Sequence, residues 1–183
     1  MTARIVLLNG AGSVGKSSIA RAIQAHARDI YLHVQMDMFL EMMPARTLNG
    51  PEGLRFETAE VGGKPVTHVH SGPAQTRALM GMRHAIAAMA AAGNNMIVDD
   101  VLFPGDLDAY RALLAPYDFK TVGLHAPLDV LEARERARGD RILGLSRAQI
   151  ELVHQGVSYD LEFDTSTLTT EHCAQRIVEA FRL

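Results

Sequence analysis

The sequence predicts an α/β fold in three layers, a parallel sheet with helices on both faces. Three observations predict it. Strand-like and helix-like segments alternate along the 183 residues, as in chains of βα units whose parallel strands need crossover helices. The opening stretch, Arg4 to Ser18 (RIVLLNGAGSVGKSS), reads as a short buried strand, a glycine-rich turn and the first turn of a helix. Asp37, the pair Asp99 and Asp100, and Asp164 each fall at the end of a strand-like segment, where ligands gather in an open α/β sheet.

The opening stretch carries the chemistry. Gly10, Gly15, Lys16 and Ser17 fit G-x-x-x-x-G-K-[ST], the loop that cradles phosphates. Glycine lets backbone N–H groups approach an anion with no Cβ in the way, and the following helix aims its positive end at the same anion. The expected cradle is Gly10, Ala11, Gly12, Ser13, Val14, Gly15, Lys16, Ser17 and Ser18. Lys16 is expected at the β- and γ-phosphates, and the Ser17 hydroxyl on Mg²⁺. A plain strand–turn–helix connection is the alternative. The expectation is a nucleoside triphosphate site.

The first helix is expected to run to about Arg28. Tyr31 to Met36 reads as strand two, ending at Asp37. Met38 to Met43 reads as a short helix closed by Pro44. From Ala45 to Pro73 glycines and prolines make the signal irregular, with Val66 to His70 as a short edge strand. An insert at about 44–73 in a compact domain suggests a functional segment. Gln75 to Ala92 is helical and stopped by Gly93-Asn94. Asn95 to Asp100 is a third strand, Asp106 to Leu114 a helix, Phe119 to His125 a fourth strand. Pro127 to Arg138 is helical with proline at its start, and Gly139-Asp140-Arg141 breaks it. Ser146 to Gln155 is helical with Ser146 as its cap. Leu161 to Asp164 is a fifth strand and Thr170 to Phe181 a closing helix. The chain is expected to be a single domain over 1–183, with a lid at about 134–147.

Composition narrows the class. The chain is 48% hydrophobic with 5% aromatic residues and no Trp, so aliphatic packing must build the core. A formal net charge of −3 offers no global basic field for nucleic acid. The single Cys173 makes no internal disulfide, which favours a reducing compartment. No signal peptide is read at the start, and the apolar run Ala85 to Ala92 is too short to span a membrane. A cytoplasmic protein without a membrane or nucleic-acid partner is expected. Oligomeric state stays open, a homo-oligomer included.

Two kinds of phosphate-loop protein differ in the remaining residues. A GTPase switch would carry N-K-x-D and D-x-x-G, and neither occurs. A small-molecule kinase needs a base for the acceptor hydroxyl, a metal-site acid and a cationic lid. Asp37 is the base candidate; a helix cap at Met38 is its other reading. Asp99 is placed near the metal and Asp100 near substrate or structure, because adjacent strand residues face opposite ways. Arg134, Arg138 and Arg141 recur on one helix face as lid candidates beside Arg136. A solvated helix paired through Glu132, Glu135 and Asp140 is the other reading. His154 is a candidate near acceptor or nucleotide; a cap on a helix end near Gly156 is its other reading. Asp164 and Thr165 follow strand five, where kinases of such a fold commonly place the adenine loop; a plain turn built on Asp164 and Ser166 is the equal reading. His68 and His70 share a strand face without a third ligand nearby and are read as polar surface residues.

With these residues in hand, the chain resembles the chloramphenicol phosphotransferase-like group of P-loop kinases, related in fold to shikimate and adenylate kinases. The segments that carry the resemblance are Leu8-Asn9-Gly10 through Lys16-Ser17, Asp37, Ile97-Val98-Asp99-Asp100-Val101, Ala137-Arg138-Gly139-Asp140-Arg141, Val153-His154-Gln155-Gly156-Val157-Ser158-Tyr159-Asp160, and Asp164-Thr165. The resemblance implies a five-stranded parallel sheet of the kinase type. It implies ATP with Mg²⁺ as donor and transfer of the γ-phosphoryl to a hydroxyl of a small molecule, in that family a primary hydroxyl of chloramphenicol. Asp37 matches the family's general base and Arg138 a lid arginine. The segment from Pro44 to Pro73 departs from the family pattern, so the reaction class carries over better than the acceptor. A kinase of a sugar, nucleoside or nucleotide sugar, metabolic or toxin-type, is the second expectation. A nucleotide-binding regulator without phosphotransfer is the third.

Overall fold

Strand pairing decides where the cleft lies. The computed structural model describes residues 2–139 and 142–183. The main sheet is built from β1 (Arg4–Asn9), β2 (Tyr31–Gln35), β5 (Asn95–Asp100), β6 (Asp118–His125) and β7 (Leu161–Asp164). Its order is β2-β5-β1-β6-β7, and every pair in it is parallel. The central strand β1 therefore ends in the phosphate loop with β5 on one side and β6 on the other. Its register sets Leu8 beside Asp99 and Asn9 beside Asp100.

The pleat of β1 divides the core. Val6 and Leu8 join Ile97, Val122 and Leu124 under α1 (Lys16–His26) and α7 (Thr170–Phe181), where Ile19, Ile23, Cys173 and Ile177 are buried. Ile5 and Leu7 face the other way, with Met96 and Val98, against α3 (Pro73–Ala91) and α4 (Asp106–Leu114). Successive strand residues pointing to opposite faces is what covering both faces requires. Burying one such aliphatic side chain contributes about 1.5–3 kcal/mol. Asn9, fully buried at the end of β1, donates to the Val153 carbonyl and the Tyr159 hydroxyl, both at 2.6 Å. Its Oδ1 accepts from the Leu102 amide at 2.9 Å. Three distant segments are thus fastened just before the loop.

The structure corrects several boundaries. Strand two stops at Gln35, so Asp37 lies in the first turn of α2 (Met36–Glu41) rather than at the strand end. The cap position there is Gln35, and no side-chain cap bond is made. The segment read as irregular contains β3 (Leu54–Val61), paired antiparallel with β4 (Lys64–Ser71) in a sheet of two strands. Val66 to His70 is thus part of a hairpin and not an edge of the main sheet. Gly62 and Gly63, with φ of 59° and 75°, form its turn, a backbone that glycine adopts without strain. The helix expected over 146–155 is only α6 (Leu145–Gln149), followed by turns. Gly144, not Ser146, occupies its cap position. The helix α5 spans Leu128–Arg138 with Pro127 before it. Arg141, expected in the lid, lies outside the described residues, as does Asp140. Among the described residues no helix is long and apolar enough to cross a membrane.

Candidate active site

The phosphate loop is shaped by close backbone approach. A Cβ on Gly10 would stand 2.5 Å from the Leu124 carbonyl oxygen. Ser13 and Gly15 take positive φ of 62° and 104°. Lys16 is buried, its Nζ donating to the carbonyls of Gly10 at 2.8 Å and Ala11 at 3.1 Å. Gly10 and Ala11 therefore serve the loop through their carbonyls, while Gly12, Ser13, Gly15, Lys16, Ser17 and Ser18 line a cleft of about 260 Å³. The Ser13 hydroxyl is buried without a hydrogen-bond partner, an orphan such a loop can offer to a phosphate.

Ser17 donates to Asp99 Oδ2 at 2.5 Å. Burial opposes ionisation of Asp99, but the His33 imidazole, the Lys16 ammonium and the Ser17 hydroxyl outweigh it and hold the carboxyl below its usual range. His33 Nε2 stands 3.5 Å from Asp99 Oδ2, an ion-pair separation, and makes no hydrogen bond. A hydroxyl and an ionised carboxylate side by side form a hard oxygen donor set that fits Mg²⁺. Among the described residues no three of His, Cys, Asp and Glu gather at one point. His70 instead lies 3.2 Å from Glu57.

Asp100 faces the other way. Its oxygens accept from the Val101 amide and the Tyr110 hydroxyl, each at 2.7 Å, and full burial pushes its carboxyl up. Its polar bonds thus serve the floor of the cleft. Arg83 extends this floor, 2.6 Å from Asp106 and 5.4 Å from the centre of the Tyr110 ring.

Asp37 is exposed on α2 and lines the same cleft. The walls beside it are apolar: Leu40, Leu54, Phe56, Val69, Leu79 and Phe103. The pairs Leu54–Ser71 and Phe56–Val69 stand opposite each other on β3 and β4, so the hairpin supplies one wall. Arg46, Arg55 and Arg77 do not line the cleft.

Behind the loop a second hollow of about 410 Å³ is lined by Val14, Arg134, Arg138, Thr165, Leu168 and Cys173, among others. Arg138 lines both spaces. Arg134 is fixed there, donating to the Thr165 carbonyl at 2.7 Å and its hydroxyl at 3.0 Å. Arg134 and Thr165 are thus brought together. Asp164 is not: it lines neither space, and its carboxyl is held down by Ser166, whose hydroxyl and amide it accepts at 2.6 Å and 2.8 Å. His154 also lines neither. Its ring lies 4.0 Å from that of His125, its Nδ1 is 2.7 Å from the Tyr159 hydroxyl, and burial beside His125 pushes it down to about 4.

Gln149, Ser146 and Glu135 also enter, and like His33 and Arg83 they were not assigned to the site by sequence reasoning. Gln149 Oε1 accepts from the Gly12 amide at 2.8 Å, and Ser146 Oγ lies 3.0 Å from the Gly12 carbonyl. Glu135, buried in α5, accepts from the amides of Gly144 at 2.7 Å and Ser146 at 3.0 Å. The expected solvated salt-bridge role of Glu135 is replaced by an anchor for α6 against the phosphate loop. The signal was an acid on the inner face of an otherwise charged helix.

Known proteins resemble this chain in sequence and in fold. "Putative O-phosphotransferase Rv2636" of Mycobacterium tuberculosis is 31% identical over 186 residues, covering 98% of this chain and 82% of that protein. The structure of the M. tuberculosis APS kinase CysC in complex with AMPPNP and APS superposes with a TM-score of 0.69 at 17% identity, covering 100% and 99% of the two chains. A gluconokinase from Sinorhizobium meliloti 1021 gives 0.58 at 16%, covering 99% and 96%. These two similarities show the fold, that of P-loop kinases. The model of the family described as chloramphenicol phosphotransferase-like protein matches residues 3–182, and the chain belongs to that family of kinase-like phosphotransferases.

Proposed function

We propose that the protein transfers the γ-phosphoryl group of ATP, with Mg²⁺, to a hydroxyl of a small neutral molecule with an apolar body. One observation carries the reading: a single cleft joins Lys16, Ser17 and Asp99 to Asp37 through an apolar chamber. Asp37 is placed to accept the proton of the acceptor hydroxyl as its oxygen bonds to the γ-phosphorus and the bond to the ADP oxygen breaks. Lys16 and Arg138 supply positive charge to the transferring group. Ser17 and Asp99 would hold Mg²⁺, which supplies Lewis-acid charge at the phosphates. Arg134 and Thr165 frame the space for the nucleoside end.

The chamber favours a neutral acceptor. Its cation on the acceptor side, Arg83, is paired with Asp106, and the arginines of the hairpin region stay outside. Among the described residues two arginines line the cleft, Arg83 and Arg138. With Arg83 held by Asp106 and Arg138 assigned to the transferring phosphate, an anionic sugar or nucleotide sugar would meet Asp37 without an arginine of its own to offset the repulsion. Chloramphenicol, named in the family's description, is the first acceptor to test. ATP turnover with phosphorus-31 NMR of the products is expected to show a new phosphate ester. Hydrolysis indifferent to every neutral hydroxyl compound tried, with ester formed on an anionic sugar, would overturn the acceptor class. ATP bound but never consumed would favour a regulator.

A further inference from the structure

We propose that Thr67 is a positioning residue that fastens the acceptor wall to α6 and the phosphate loop it grips, so that wall and loop respond to ligand as one body. This rests on the phosphotransfer reading above. The hairpin side chains alternate, so Leu54–Ser71, Phe56–Val69 and Thr58–Thr67 are successive pairs on one face. The first two pairs line the cleft. The third meets Leu143 and Gly144, just before α6. Thr67 is the one residue of either hairpin strand that is buried. Its amide donates to the Gly144 carbonyl at 3.0 Å and its hydroxyl to the Leu143 carbonyl at 2.7 Å. With that proton committed, the Thr58 hydroxyl 2.8 Å away must be the donor to Thr67 Oγ1.

The seam is tight. Gly144 has a φ of 87°, and a Cβ there would stand 2.6 Å from the Pro65 carbonyl oxygen. Glu132 of α5 closes its outer end, pairing with Lys64 of the hairpin at 3.4 Å and with Arg147 of α6. From Gly144 the connection continues inward. Glu135 holds the Gly144 and Ser146 amides, and Ser146 and Gln149 grip Gly12. The acceptor wall therefore reaches the phosphate loop through Thr67, Gly144 and α6 without a break. A nucleotide that stiffens the loop and α6 must stiffen the wall that carries Phe56 and Val69 with them. By reciprocity the acceptor favours the same arrangement.

Hydrogen–deuterium exchange of the whole protein with AMPPNP and Mg²⁺ tests this. Amides of 10–18 are expected to slow, and amides of 54–71 to slow with them by roughly fivefold or more. In Thr67→Val the loop response is expected to persist and the hairpin response to be lost, with Thr67→Ser restoring it. A residue that only stabilised the hairpin would change its exchange equally with and without nucleotide. Should Thr67→Val not fold, Lys64→Ala cuts the outer end of the seam at an exposed side chain and is expected to weaken the hairpin response. Protection of the loop with an indifferent hairpin would overturn the coupling and leave the nucleotide reading standing. A full hairpin response in Thr67→Val or, failing that, in Lys64→Ala would overturn the role of the seam. A loop unaffected by AMPPNP would overturn the nucleotide reading, and the proposal with it.

Discussion

Asp37 and Asp99 are carboxylates that line one cleft, and their surroundings differ. Asp37 is exposed, beside apolar walls; Asp99 is buried against a hydroxyl and two basic groups. Asp37→Asn is expected to keep ATP affinity and lose transfer by roughly 10²–10⁴-fold; nucleotide titration and product NMR separate the two effects. His154 gives a prediction in pH. Burial beside His125 lowers its folded value from 6.5 to about 4, so the unfolded chain takes up this proton first as pH falls. The stability it contributes is complete above pH 6.5 and drains away between 6.5 and about 4. Thermal unfolding across that window is expected to show this loss, and His154→Gln to flatten it; an imidazole NMR signal titrating near 4 identifies the group. Lys16, Ser17 and Asp99 were legible because a local motif and a strand end place them. Glu135, Ser146 and Gln149 were not, because Gly12 and Gln149 are 137 residues apart in sequence, and no local period reports such a contact.

At the scale of elements, the phosphate loop depends on its approach to β6. Gly10→Ala would force a methyl to within 2.5 Å of the Leu124 carbonyl, and backbone on the central sheet has little room to yield. A loss of about 1–3 kcal/mol is expected, read by denaturant unfolding, with nucleotide binding lost as well. Elements with strong periodicity and clear stops were legible in the sequence: β5, α4, β7 and α7 have the bounds their patterns predict. β3 was not, because its burial is slight and most of its residues face solvent, leaving little alternation to read. The Gly62-Gly63 pair was the available signal, a two-residue hairpin turn. The end of α6 is gradual: past Gln149 the Leu152 and Val153 amides still bond to the Gln149 carbonyl as turns, which is why the pattern to Gln155 reads as one helix.

The whole molecule is expected to respond to its donor. With Mg·ATP at a hundred times its dissociation constant, stability rises by about 2.7 kcal/mol. In a chain of this size that corresponds to a rise in Tm of roughly 5–11 °C. Lys16→Met is expected to abolish the shift in a thermal scan; a shift retained in full would remove Lys16 from phosphate binding.

The strand order also governs how the chain can acquire its structure as it emerges residue by residue. β1 and β2 are consecutive in sequence and yet never touch; each pairs with β5. Until Asn95–Asp100 has been synthesised, both strands lack a neighbour in the main sheet, and the hairpin of β3 and β4 is the only strand pair that can close. The phosphate loop waits longer still, because Asn9 is fastened by Val153 and Tyr159 and Gly12 by Gln149. Long-range closure of this kind slows folding and leaves apolar strands uncovered in the interval. The nascent chain thus carries a bare Ile5-Val6-Leu7-Leu8 until Asn95–Asp100 has emerged, and protection of that stretch by a chaperone matters most before then.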